Sequence, residues 1–329
     1  MNNDGGIEMP YRITESGEKV ILSVLIGADS SLIGLRVNHS KIISMKFGEL
    51  NNIVLETYGV AETNHFIKSV MNHYHPPTTP GEVLNLCDCD LVVLETICEN
   101  TSDYFAPDTI LKALKLYHGA DIYSCYSVNY KFEDGKIRFG GLGDMVQYQH
   151  AIGYIEPYYT LTDEQKNGFA EWYGTIYRAL NAENRSDNYK AMIRMYETSY
   201  LVGLCESEYI MLFSILEMLL GTGNSEITYQ ISRGTALLLS KSADEMLQIY
   251  TQMKKLYNAR SKYVHSGKTI DHKNLFELRE IVRKVLLKIA ELGYHTTEKK
   301  FDELKAQILL GGYHSFVNKK EEKTINNFN

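Results

Sequence analysis

Arg260 and His265 are the pair of side chains in this sequence best suited to chemistry. They lie in the stretch KKLYNARSKYVHSGK, residues 254–268. A histidine titrates near neutral pH and can take up or release a proton, and a guanidinium group donates paired hydrogen bonds to a phosphate. Such a pair could break a phosphodiester bond that carries a neighbouring 2′-hydroxyl without a metal. The histidine would move protons, and the arginine would stabilise the added negative charge.

An amphipathic helix is predicted to carry both side chains. Arg260 continues the apolar stripe of this helix, whereas His265 lies about 140° away around a straight helix. Gly267 predicts the end of the helix, because glycine is the usual residue just past a helix terminus. If the helix ends near His265, the histidine can turn towards Arg260 and complete one site. The apolar stripe, at three- and four-residue spacing, consists of Met246, Ile249, Tyr250, Met253, Leu256 and Tyr257.

Glu217 is an acidic residue inside an apolar run, IMLFSILEMLL. An ionised carboxylate in such surroundings is unfavourable unless a cation accompanies it. Arg233 and Arg260 are the candidate partners. We expect an ion pair that supports the structure or orients the site, with direct catalysis by Glu217 much less favoured.

The string LYNARSKYVHSGK resembles the R-x4-6-H motif of HEPN domains, and the preceding segment SILEMLLGTGNSEITYQISRGTALLL resembles the ApeA-like branch of that superfamily. The resemblance covers residues 188–292, about a third of the chain. It implies a small helical bundle that forms a homodimer, with Arg260 and His265 as catalytic residues. The implied activity is a metal-independent endoribonuclease of a toxin or antiviral-defence system. Its products would carry 2′,3′-cyclic phosphate and 5′-hydroxyl ends, and no cofactor is implied.

Residues beside the motif suit supporting roles. Ser261 stands where the family usually carries Asn, Asp or His, so we assign it a supporting role together with Glu217. Lys262 and Lys268 could bind RNA phosphates, and Tyr263 could stack on a base. The alternatives are solvated surface lysines and a tyrosine that packs in the core.

The charge of the chain is unevenly distributed. The formal net charge is −7, yet residues 241–300 contain 13 basic and 7 acidic side chains. Residues 1–162 contain 11 basic and 20 acidic side chains, and residues 163–240 contain 6 and 10. The basic segment therefore includes the motif and suits an RNA partner, although a solvated helix face would have the same composition.

The chain is long enough for two domains, with 329 residues of which 44% are hydrophobic. Short β-branched runs and a hairpin signal at residues 133–135 predict a strand-rich α+β domain over residues 1–160. A capping box formed by Thr162 and Gln165 then begins an all-α, HEPN-like helical bundle over residues 161–315, followed by a polar tail at 316–329. The first domain could sense a trigger ligand or protein.

We expect a cytoplasmic protein with no membrane partner. The sequence shows no leader-like start and no apolar run that could span a bilayer, and its five cysteines form no disulfide-like framework. His73 with His75, and Cys87 with Cys89, lack a nearby third ligand, so we expect no metal site. The glycine-rich stretch at 140–144 lacks the lysine of a phosphate-binding loop and favours a turn.

Two other functions remain open. One is a non-catalytic HEPN module that binds RNA, a nucleotide or a partner protein. The other is a helical dimerisation scaffold in which Arg260 serves only to neutralise Glu217.

Overall fold

The computed structural model describes residues 18–71, 88–119, 122–134, 136–139, 159–182, 184–221 and 226–310. The chain divides into two compact units. One comprises Met1–Gln149 and Glu156–Tyr173, and the other comprises His150–Ile155 and Gly174–Asn329. An antiparallel sheet region precedes a mostly helical region, as the sequence predicts.

Six strands form the sheet of the first unit, and every neighbouring pair is antiparallel. Their order is β2-β3-β4-β1-β5-β6. The central strand β1 pairs with both β4 and β5, so that Leu22 lies opposite Glu95 on one side and Val128 on the other. The strands are β1 Lys19–Ile26, β2 Arg36–Val37, β3 Ser40–Lys46, β4 Asp90–Cys98, β5 Tyr123–Glu133 and β6 Lys136–Phe139.

Among the described residues, three α-helices belong wholly to the first unit: α1 Phe47–Tyr58, α2 Val60–Met71 and α3 Ala106–His118. Alternate residues of β1, such as Leu22, join one core cluster with Leu50 of α1 and Phe66 of α2. The run at residues 32–55 predicts short strands, and the structure has β2 and β3 there, followed by helix α1, whose buried residues recur at helical spacing. The sequence of residues 108–117 predicts a helix capped by Asp108, but α3 begins at Ala106 and Asp108 lies within its first turn.

Seven further helices follow in the part of the chain that the structure describes. The predicted capping box is present, since Thr162 N–H donates to Gln165 Oε1 at 2.9 Å and Gln165 N–H donates to Thr162 Oγ1 at 3.2 Å. The division between the two units falls inside α4. Helix α6 is apolar almost all round and packs against α5, α7 and α9. The helices are α4 Asp163–Asn181, α5 Asp187–Ser199, α6 Cys205–Leu220, α7 Ile227–Leu239, α8 Ala243–Ser266, α9 His272–Glu291 and α10 Glu298–Leu310.

None of the helices in the described ranges combines the length and the apolar composition needed to cross a bilayer. Within the same ranges, no group of three or more His, Cys, Asp or Glu side chains is placed to hold a metal ion. His73, His75, Cys87, the glycine-rich stretch at 140–144 and the predicted tail at 316–329 lie outside the described residues.

Candidate functional site

Helix α8 positions both motif residues. It begins at a cap in which Ser242 Oγ accepts a hydrogen bond from Glu245 N–H at 3.2 Å. It ends at Ser266, and Gly267 follows in the left-handed conformation, with φ 66°. The Gly267 N–H closes the last turn on the carbonyl of Tyr263 at 2.8 Å. The predicted helix stop is therefore confirmed, and one continuous helix carries Arg260 and His265.

The guanidinium group of Arg260 is turned towards α6. Its Nη2 lies 2.9 Å from Glu217 Oε1, and the two side chains are 21% and 25% exposed. Its Nη1 donates to the hydroxyl of Tyr257 at 3.2 Å. The cationic partner predicted for Glu217 is thus Arg260. The other candidate, Arg233, donates instead to the carbonyls of residues 308 and 309 at 3.1 and 3.2 Å.

The Arg260–Glu217 contact is an ion pair rather than a well-aligned hydrogen bond. Glu217 Oε1 and Arg260 Nε are both buried, and neither has a hydrogen-bond partner among the described residues. Attraction between the two charges holds the guanidinium in place at 2.9 Å, while part of its donor capacity stays unused.

Tyr257 supports the arginine from the same helix. Its side chain is buried, its ring meets Phe213 of α6 edge to face at 5.3 Å, and the guanidinium carbon of Arg260 lies 5.3 Å from the ring centroid. Burial raises the pKa of Tyr257, so its hydroxyl is neutral and accepts the hydrogen bond from Arg260. Tyr257 is therefore a core residue that also holds Arg260 in place.

His265 is exposed in the last turn of α8. Because the helix is unbroken through Ser266, the two motif residues stay about 140° apart around its axis. The expectation that His265 turns towards Arg260 within one chain is therefore wrong. The physical reason is that the helix-ending Gly267 follows His265 by two residues and cannot redirect it.

A basic concave surface lies between α8 and the start of α9. We call it the lysine cleft, and its volume is about 580 Å³. It contains the predicted phosphate ligands Lys262 and Lys268, together with Lys254 and Lys255, which sequence reasoning missed. The complete lining is Thr251, Lys254, Lys255, Asn258, Ala259, Lys262, Lys268, Thr269, Asp271 and Asn274. The four-residue spacing of Lys254, Asn258 and Lys262 was the available signal for one shared helix face.

His265 belongs to the side of α8 that faces the lysine cleft. At 3.6 residues per turn, Lys254, Lys255, Lys262 and His265 project within about 100° of one another. Arg260 projects at least about 120° away from each of them. By this helical geometry His265 projects with the lysines and away from Arg260, although it is not one of the residues that line the cleft. Ser261 and Tyr263 are half-buried, and neither lines the cleft.

No protein-family model, curated protein or solved structure matches the chain. The HEPN resemblance accordingly rests on the residues of α6, α7 and α8 that carry the motif and the segment before it.

A second ion pair on α6 was missed by sequence reasoning. Glu208 Oε1 accepts from Arg279 Nε at 2.7 Å and lies 2.7 Å from its Nη2 as well. The side chains are 9% and 4% exposed, and the guanidinium carbon lies 4.4 Å from the ring centroid of Tyr200. Glu208 lies in the first turn of a strongly apolar helix, and that position could have indicated a buried partner.

Proposed function

We propose that the helical unit is a metal-independent endoribonuclease of HEPN type, which leaves 2′,3′-cyclic phosphate and 5′-hydroxyl ends. The observation that carries this proposal is the placement of His265. It is exposed in the last turn of α8, about one turn beyond the cleft residue Lys262, and an RNA strand held by the lysines could bring a phosphodiester to the imidazole.

In this mechanism His265 removes the proton of a 2′-hydroxyl, and the resulting oxygen attacks the adjacent phosphorus. The 5′-oxygen leaves with a proton supplied by water, and a cyclic phosphate remains. Arg260 would stabilise the additional negative charge on the phosphate. Because Arg260 and His265 of one chain project about 140° apart, we place His265 beside Arg260 of the partner subunit in a homodimer.

The surface near Arg260 supports association with a second copy. Val264 follows Arg260 by one helical turn on the same side of α8 and is 52% exposed. On α6, Glu217 shares a half-buried face with Ser214 and Ile210. A second chain would remove this apolar surface from water, which is favourable by about 25 cal/mol for each Å² buried. The proposal also includes three further parts: the first unit senses a trigger, the protein acts in defence or as a toxin, and it works in the cytoplasm.

The first test is RNA cleavage by His265→Ala in the presence of EDTA. Loss of a general acid–base group should lower the cleavage rate at least about a hundredfold while leaving the thermal unfolding midpoint unchanged. His39→Ala, which changes an exposed histidine of the first unit, is the matched control. Mapping of the product ends distinguishes cyclic phosphate from other products. Equal cleavage by wild type and His265→Ala would end the proposal.

Mixing two inactive variants tests the shared site. Arg260→Ala and His265→Ala chains, combined so that mixed dimers form, should recover part of the activity that each variant lacks alone. Recovery is expected because one mixed dimer unites an intact Arg260 with an intact His265. If mixed dimers form and remain inactive, arginine and histidine do not act across the interface.

The second candidate function is a non-catalytic module that binds RNA. Its supporting observation is that Arg260 is already engaged by Glu217 and Tyr257 and is separated from His265. This function predicts that wild-type protein retains RNA and releases no cleaved product, with or without EDTA. The same gel assay therefore separates the two candidates.

A further inference from the structure

The lysine cleft carries an excess of positive charge that the described structure does not neutralise. Lys254, Lys255, Lys262 and Lys268 are all exposed. Their ammonium groups form no ion pair with any carboxylate in the described ranges. Lysine groups brought together in a concave surface repel one another, and an anion relieves that repulsion.

One carboxylate, that of Asp271, also lines the lysine cleft. It is already engaged as the cap of α9, since its Oδ1 accepts the N–H of Lys273 at 2.9 Å. One acid against four lysines leaves the cleft cationic. The cleft therefore suits a ligand with several negative charges.

We propose that the lysine cleft holds consecutive phosphates of a single RNA strand and leads that strand to His265. This inference rests on the proposed function and adds its substrate path. From Lys254 to His265 the helix rises about 16 Å, a length that one phosphate cannot span but a short run of nucleotides can. The cleft is concave, with a volume of about 580 Å³, and suits the backbone of a short single strand.

The other lining residues indicate how such a strand is held. No aromatic side chain lines the lysine cleft, so bases do not stack there, and the contacts are made with the backbone. The side-chain amides of Asn258 and Asn274 can bond to ribose hydroxyl groups. We therefore expect binding that depends strongly on salt and only weakly on base sequence.

The test measures binding of a short, fluorescently labelled 2′-O-methyl RNA, which lacks the hydroxyl needed for cleavage. The variant K254Q/K255Q removes two adjacent exposed lysines of the lysine cleft. The matched control K299Q/K300Q removes two adjacent exposed lysines of α10. We expect roughly tenfold weaker binding by the cleft variant and a salt slope smaller by about 1.4, because each phosphate contact contributes about 0.7. The control should match wild type.

Equal losses in both double variants, or no loss in K254Q/K255Q, would overturn the assignment. The assignment would also be overturned if inorganic tripolyphosphate displaced the labelled RNA as effectively as unlabelled oligonucleotide at the same concentration. A small free anion would then be the ligand. K262Q/K268Q provides an independent second variant, and thermal unfolding verifies that each variant is folded. Binding of this oligonucleotide does not depend on catalysis. If the oligonucleotide binds through the cleft lysines but natural RNA is not cleaved, only the proposed nuclease activity is refuted. If RNA is cleaved equally well by the lysine variants, only the proposed role of the cleft is refuted.

Discussion

Helix α6 carries two acidic residues that pair with arginines, and the two pairs differ in burial and alignment. Glu208 and Arg279 are 9% and 4% exposed and meet through two contacts of 2.7 Å. Glu217 lies nine residues later, about 13 Å along the helix axis. It meets Arg260 at 2.9 Å, with exposures of 25% and 21% and without an aligned hydrogen bond.

The difference indicates two roles for the same chemical pair. A buried pair with satisfied geometry tolerates no loss of either partner, because the remaining charge would stay in a dry environment. A pair that is a fifth to a quarter exposed is partly screened by water, so it contributes less stability than the buried pair. The Glu208–Arg279 pair therefore serves the fold. The Glu217–Arg260 pair holds a guanidinium that is partly exposed, where the proposed function requires a phosphate ligand.

The largest expected effect is that of Arg279→Ala. It leaves the Glu208 carboxylate buried without its cation and should lower the free energy of unfolding by about 3–5 kcal/mol. Urea unfolding followed by the helical circular dichroism signal measures this loss. A change below about 1 kcal/mol would show that the remaining carboxylate finds another partner or takes up a proton, and the contrast between the pairs would then fail.

Arg260→Ala should give the opposite balance of effects. We expect about 1 kcal/mol of lost stability, because Glu217 is partly hydrated, together with at least about a hundredfold slower RNA cleavage from the lost charge stabilisation. Urea unfolding and cleavage rates are measured on the same preparation, with Arg279→Ala as the comparison. A stability loss as large as that of Arg279→Ala, with no effect on cleavage of the folded fraction, would favour the scaffold function.

Local features of this site followed from sequence because they depend on neighbouring residues. Periodic apolar residues and Gly267 determine the course and end of α8, and the lone acid in the apolar run of α6 required a cation. The direction of His265 was mispredicted because one more helical residue, Ser266, follows it and keeps it within the helix. Contacts between distant segments were not predictable in the same way. Arg279 lies 71 residues from Glu208, and the lysine cleft exists only because the start of α9 returns beside α8.

The fold shows the same contrast: local elements were predictable from the sequence, whereas contacts between distant segments were not. The β-branched run at residues 19–26 predicts β1 with its observed bounds, and the hairpin signal at 133–135 lies at the junction of β5 and β6, where Glu133 pairs with Lys136. Helix α1 was missed because Ile53 and Val54 are β-branched residues that also favour strands, and only packing against the sheet selects the helix. The order of the strands could not be predicted, since β1 pairs with partners about 75 and 110 residues away.

Glu217→Gln tests the Glu217–Arg260 pair by removing the negative charge of its acidic partner. The amide keeps the shape of the side chain and removes its charge, so the loss of stability should stay below about 1 kcal/mol. Arg260 would be held less firmly, so we expect a lower kcat with little change in KM, and single-turnover and steady-state RNA cleavage measure both. The matched substitution Glu208→Gln should destabilise the fold more. A large increase in KM with unchanged kcat would instead place Glu217 in substrate binding.

Val264→Asp should have the smallest effect on the stability of the single chain. It tests whether a second copy covers the exposed surface beside Arg260. Val264 is already 52% exposed, so an acid there leaves the isolated fold intact. If a second copy covers this surface, the introduced charge opposes association, and sedimentation velocity should show monomers that no longer cleave RNA. Leu247→Asp, at an exposed apolar position on the cleft side of α8, is the control and should leave association unchanged. If Val264→Asp associates as wild type does, the proposed site shared between two subunits is refuted. The separation of Arg260 from His265 within one chain would then favour RNA binding over cleavage.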